Sequence, residues 1–130
     1  MDLDEYKRKR LACEGRLERN RRDRDAENRM SDVMSDVTRS MRAWSDEAAE
    51  MAFGIPGMAA SVGELQDGVI LATREEERRH DDRLHVLETE RRHIERDLSS
   101  LDEEFALSMR ENADTGKASG RDERRIHHVG

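Results

Sequence analysis

Met30-Ser31-Asp32-Val33-Met34-Ser35-Asp36-Val37-Thr38-Arg39-Ser40-Met41-Arg42-Ala43-Trp44-Ser45-Asp46-Glu47-Ala48-Ala49-Glu50-Met51 carries the pattern on which the fold turns. Within it Met30, Met34, Val37, Met41, Trp44, Ala48 and Met51 recur in alternating steps of four and three. A helix turns once in about 3.6 residues, so these side chains fall on one stripe. They read as the a and d positions of three heptads, with Ser, Asp, Arg and Glu on the remaining faces.

A second stripe follows the same rhythm through Leu84, Leu87, Ile94, Leu98, Leu101 and Phe105, with Arg91 as its polar member. Extended backwards, the register passes His80 and Glu77 to reach Thr73 and Ile70. The spacing therefore predicts an all-α chain of two long helices. The first helix occupies residues 1–53 and the second residues 64–111, joined by a turn over 54–63.

That turn, Gly54-Ile55-Pro56-Gly57-Met58-Ala59-Ala60-Ser61-Val62-Gly63, opens on a glycine suited to a helix C-cap. Pro56 pushes Ile55 away from helical angles. Ser61 and Glu64 have the spacing of a capping box for the second helix. So short a connection predicts an antiparallel coiled-coil hairpin. Pivoted near residues 58 and 59, it pairs Trp44 with Thr73, Val37 with His80 and Met30 with Leu87. Leu17 then meets Leu101, and Cys13 meets Phe105. Ile94 and Leu98 face Asn20, Asp23 and Glu27, which offer no apolar counterpart. They are therefore expected to dock a second chain, either another copy or a different protein. Residues 112–130 begin with Asp114-Thr115-Gly116-Lys117-Ala118-Ser119-Gly120, and this small, polar composition predicts a disordered tail.

Composition agrees with long solvated helices. Of 130 residues 42% are charged, 3% are aromatic and one is proline, too few large apolar groups for a rounded core. Two long arms sharing one thin seam are marginal alone, which favours a partner or a second copy. The single cysteine, Cys13, excludes an intrachain disulfide and fits a reducing compartment. The opening Met1-Asp2-Leu3-Asp4-Glu5 lacks the basic-then-apolar order of a signal peptide. No apolar run approaches the roughly 20 residues of a membrane span. A cytoplasmic address is expected.

Motifs for chemistry are few. Glu77-Arg78-Arg79-His80 recurs as Glu90-Arg91-Arg92-His93, and Glu-x-x-His is a spacing used by di-iron bundles. The two copies lie on one helix and point apart, and the first helix has no histidine to complete a site. No metal or other cofactor is expected. His127-His128 lacks a scaffold, and Cys13 has no histidine near it in sequence. Gly-x-Ser-x-Gly, P-loop, Cys-x-x-Cys and His-Glu-x-x-His motifs are all missing, so the chain reads as non-enzymatic. The basic segment 16–29 precedes a heptad stripe, as in a bZIP protein. Asp23, Asp25 and Glu27 within it oppose phosphate, which leaves nucleic-acid binding a minor alternative.

A helical hairpin over Leu3 to Met109, with Trp44 towards its apex and no enzyme motif, resembles the WXG100-like proteins of type VII secretion. It is similar above all to the small partners of LXG toxins. The resemblance implies a chain that binds the helical region of a toxin and presents it for export. Trp44-Ser45-Asp46 stands in place of the family's Trp-x-Gly, and no Tyr-x-x-x-Asp/Glu export signal is present. The implied role is then a cytoplasmic chaperone, or a passenger exported with its client.

The reading is a helical adaptor or targeting chaperone. Its expected partner-binding residues are Met30, Met34, Val37, Met41, Trp44, Leu87, Ile94 and Leu98. The alternative is a self-associating coiled-coil spacer.

Overall fold

The computed structural model describes the backbone of residues 1–129 and the side chains of residues 1–115. Gly130 and the side chains beyond 115, those of His127 and His128 among them, lie outside the described residues. The fold is all-α: α1 spans Leu3–Ala52 and α2 spans Met58–Val129, and the two pack against each other as an antiparallel hairpin.

Each helix is supported by its own sequence. Asp2 caps α1, its Oδ1 accepting from the Glu5 amide at 2.7 Å. Such a cap contributes about 1 kcal/mol. Ion pairs one turn apart support both helices: Lys9 with Glu5 at 3.1 Å and Arg79 with Glu75 at 3.0 Å on the outer faces, and Arg91 with Glu95 at 2.9 Å beside the seam. Each of these solvated pairs is worth only about 0.3–0.5 kcal/mol.

The turn is tighter than the sequence suggests. It covers only residues 53–57, with Gly54 at φ +82° and Gly57 at φ +85°. Ile55 N donates to Ala52 O at 3.0 Å, and Met58 N to Ile55 O at 3.3 Å. Helix α2 thus begins at Met58, not at residue 64. Ala59 and Ala60 are strong helix formers, and they extend α2 back to the glycine. Ser61 therefore lies inside α2, where its hydroxyl donates to Gly57 O at 3.4 Å. It does not cap the helix. At the other end α2 runs on to Val129, through the stretch read as a disordered tail. Lys, Arg, Ala and Glu interleaved with its two glycines keep the local helical preference.

The earlier turn moves the whole register. His80 meets Glu27 instead of Val37, the Leu87 carbonyl meets Asn20 instead of Met30, and Phe105 meets Tyr6 instead of Cys13. Each α1 partner lies two to three helical turns before the expected one. The cause is the pivot, which sits in the Gly54–Gly57 turn and not at residues 58 and 59.

Two compact units divide the hairpin. The first joins Met1–Arg19 to Arg91–Gly130, and the second is Asn20–Glu90. In the first unit Ile94 and Leu101 are buried, and Cys13, Leu17 and Leu98 are half-buried. Tyr6 stacks on Phe105 with ring centroids 4.1 Å apart and planes 10° from parallel. The Tyr6 hydroxyl donates to Asp102 Oδ1 at 2.6 Å, and the Arg10 guanidinium donates to both. These bonds, from Tyr6 first and then Arg10, hold the Asp102 carboxyl below the usual carboxylate range. Arg16 adds a contact to Asp97 at 3.3 Å. Ile94 and Leu98 are therefore packing residues of this unit, not an exposed docking pair. The shifted register has given them an apolar counterpart.

Candidate helix-docking surface

The second unit is held by an unusually polar seam. Asn20 is fully buried; its amide donates to Leu87 O at 2.8 Å and to Glu90 Oε1 at 3.3 Å. Its carbonyl oxygen accepts from Arg24 Nε at 3.0 Å. A buried, satisfied Asn in a coiled-coil seam fixes register at some cost in stability. Further along, Glu27 lies 3.0 Å from His80 Nδ1 and 3.4 Å from the Arg83 guanidinium. The His80 bond is the main cause that holds the Glu27 carboxyl below its ordinary value, and Arg83 adds to it.

Towards the turn the α1 seam becomes small. Ser45 and Ala52 are buried, and Ser31, Met34, Thr38, Ala48 and Ala49 are half-buried. On α2 the inward positions of this stretch are Val62, Gln66, Val69, Thr73 and Glu76. Each α1 heptad thus turns Ser31, Thr38, Ser45 and Ala52 inward. Met30, Val37, Trp44 and Met51, each one residue earlier, are turned out. Adjacent helix positions are about 100° apart, so the expected stripe has been rolled sideways onto the flank of the seam. Polar contacts explain the roll. Asn20 and Glu27 occupy seam positions, and heptad spacing from them leads to Met34, Met41 and Ala48, with Ser31, Thr38, Ser45 and Ala52 between.

The displaced Met30, Val37 and Trp44 form an exposed row with Val33, which the stripe did not include, and with Met41, which its heptad position still leaves exposed. Met30, Val33, Val37, Met41 and Trp44 are each between 43% and 59% exposed. A shallow depression in the row is walled by Val37, Met41 and Trp44 with Asp36 and Ser40. Beside it, between α1 and α2, opens a groove of about 530 Å³ lined by Met34, Thr38, Arg39, Thr73 and Glu77, among others. Isolated exposed apolar groups are ordinary on a protein surface, whereas an unbroken row of five is the mark of an interaction face.

The expected partner-binding residues are thus separated. Met30, Val37, Met41 and Trp44 share the exposed row, and Met34 lines the groove. Leu87 is half-buried in the seam of the second unit, while Ile94 and Leu98 belong to the first unit. Val33 joins the row without having been picked out by the seam template, since it fills neither an a nor a d position there. A second period-3.5 count, begun from Val37 instead of from the largest run, finds it.

Among the described residues no group of three or more His, Cys, Asp or Glu side chains is placed to hold a metal. Nor is any described helix long and apolar enough to cross a membrane. No family model, curated protein or solved structure matches the chain.

Proposed function

We propose that the chain is a non-enzymatic interaction module whose α1 row, Met30 to Trp44, receives a helix from a partner. The reading is that of an adaptor or targeting chaperone for a helical client, acting in the cytoplasm. The resemblance to small partners of LXG toxins makes a type VII secretion toxin one such client. The observation that carries it is the exposure of five large apolar side chains in helical register on a seam-braced helix. Flexible thioethers at Met30 and Met41 suit a face that repacks onto another surface.

The test compares the wild-type chain with Met41→Asp/Trp44→Asp in binding to partners identified by crosslinking in the source cell. Both residues are exposed, so the double variant keeps its far-UV helicity. Loss of the captured helical partner with helicity intact supports the reading. Undiminished capture overturns it. The spacer reading, in which the partner is another copy, is favoured by the symmetry of the row itself.

A further inference from the structure

We infer that the partner seated on the Met30–Trp44 row is a second copy of this chain, its α1 antiparallel to the first about a two-fold axis at Val37. The inference rests on the proposal that the row is a docking face, and it takes the self-associating spacer reading of the occupant in place of a client helix.

The argument begins with spacing. Val33 and Met41 lie four residues either side of Val37, Met30 and Trp44 seven either side, and Ala26 and Ala48 eleven either side. The row therefore reads the same in both directions, with steps of four, three, four, four, three, four. A two-fold interface brings one patch against itself, so every residue must find its mirror position occupied by something that fits. Here Val37 meets Val37 of the second copy, and Val33 meets Met41. Met30 meets Trp44, a thioether against an indole, which is a favourable contact. Beyond them stand Ala26, which is exposed, and Ala48, which the hairpin already half-buries, so the ends of the row taper to small side chains. A client-specific row has no need of such symmetry.

Charge supports the same register. Arg29 and Glu47 stand on one flank of the row, beside Met30 and Trp44. Antiparallel pairing about Val37 places Arg29 of each copy near Glu47 of the other. Within its own helix Arg29 donates to a backbone oxygen, Asp25 O at 3.4 Å. The like charge nearest the axis is Asp36, and Arg39 already lies 3.7 Å from it. Parallel pairing would instead put the Arg29 and Glu47 flanks of the two copies on opposite sides of the interface, so that the two residues would not meet.

The lone tryptophan makes the inference measurable, because Trp44 is in the row. The experiment is light scattering of the full chain over a dilution series, with tryptophan emission read on the same samples. A mass of twice 15.1 kDa, with blue-shifted emission that moves red on dilution to the monomer, supports a second copy. A monomer at every concentration with red, quenchable emission overturns the second copy and leaves the row open for another helix. A monomer with blue, unquenchable emission overturns the docking row as well. Register is tested by charge exchange and by crosslinking. Glu47→Arg weakens the dimer roughly tenfold, and Arg29→Glu added to it restores the affinity. In a Cys13→Ser background, Val37→Cys crosslinks to itself on oxidation. Val33→Cys crosslinks only when Met41→Cys is also present, the disulfide joining position 33 of one copy to position 41 of the other. Val33→Cys linking to itself as readily as Val37→Cys would overturn the antiparallel arrangement. Far-UV spectra of every variant show whether the hairpin has been kept.

Discussion

Asn20 shows how a single side chain can outweigh a stripe. Its amide is fully buried and holds the Leu87 carbonyl at 2.8 Å. Asn20→Ala removes the side-chain bonds to the Leu87 carbonyl, which α2 still engages through its own helical bond, and to Glu90. The loss is expected to cost about 0.5–1.5 kcal/mol, read as a lower urea midpoint. Glu27 and Asp102 give the chain an acid limit. Both carboxyls titrate lower in the folded chain than their ordinary values of 4.5 and 3.8. The folded state thus binds these protons less readily than the unfolded one. The stability they contribute is complete above those values and is lost as pH falls through the folded ones. Thermal midpoints should be level from about pH 7 to pH 5 and fall below that. Glu27→Gln should flatten part of the fall, and an unchanged slope would show that this carboxylate is not responsible.

The helices themselves were legible, though not equally. On α2 the stripe Leu84, Leu87, Arg91, Ile94, Leu98, Leu101 and Phe105 lies in the seam, as its spacing implies. Of its large side chains Leu87 has an apolar neighbour one position away, Val86, and that residue is left exposed. On α1 two candidate stripes share Met34, Met41 and Ala48. Side-chain size chooses Met30, Val37 and Trp44, whereas the structure chooses Ser31, Thr38 and Ser45. Short-range rules rank hydrophobicity, and they do not see that Asn20 and Glu27 have already set the rotation through α2. The turn was misjudged for a related reason. A capping-box spacing at Ser61 and Glu64 outweighed the simpler fact that nothing after Gly57 stops a helix. Gly57→Ala tests the observed turn. Nothing lies within 4 Å of the added Cβ, so any loss comes from the left-handed backbone alone. It should be about 1–2 kcal/mol in a thermal melt.

At the scale of the whole molecule, the hairpin was readable and its register was not. Register depends on where the turn closes, and an error of a few residues there changes every cross-helix pair. The sequence register leaves Ile94 and Leu98 without an apolar counterpart and so assigns them to docking, whereas the observed register covers them, Ile94 fully and Leu98 in part. The two kinds of residue now have opposite expected outcomes. Ile94→Asp places a charge at a fully buried site, and helicity measured in the far ultraviolet should fall. Trp44→Asp lies on the open row and should leave helicity unchanged while association is lost. Equal helicity losses from both would place Trp44 in the core. The row was half legible, since four of its five members were named for their size but assigned to the seam.

The open row has a chemical liability. Met30 and Met41 offer their thioethers to solvent, and peroxide converts such a sulfur to a polar sulfoxide. Storage in an oxidising buffer would therefore silence the docking face while the hairpin kept its shape. The preparation would pass every test of folding and still fail to bind. Methionine sulfoxide reductase would bring the activity back, with mass spectrometry marking each oxygen as it leaves.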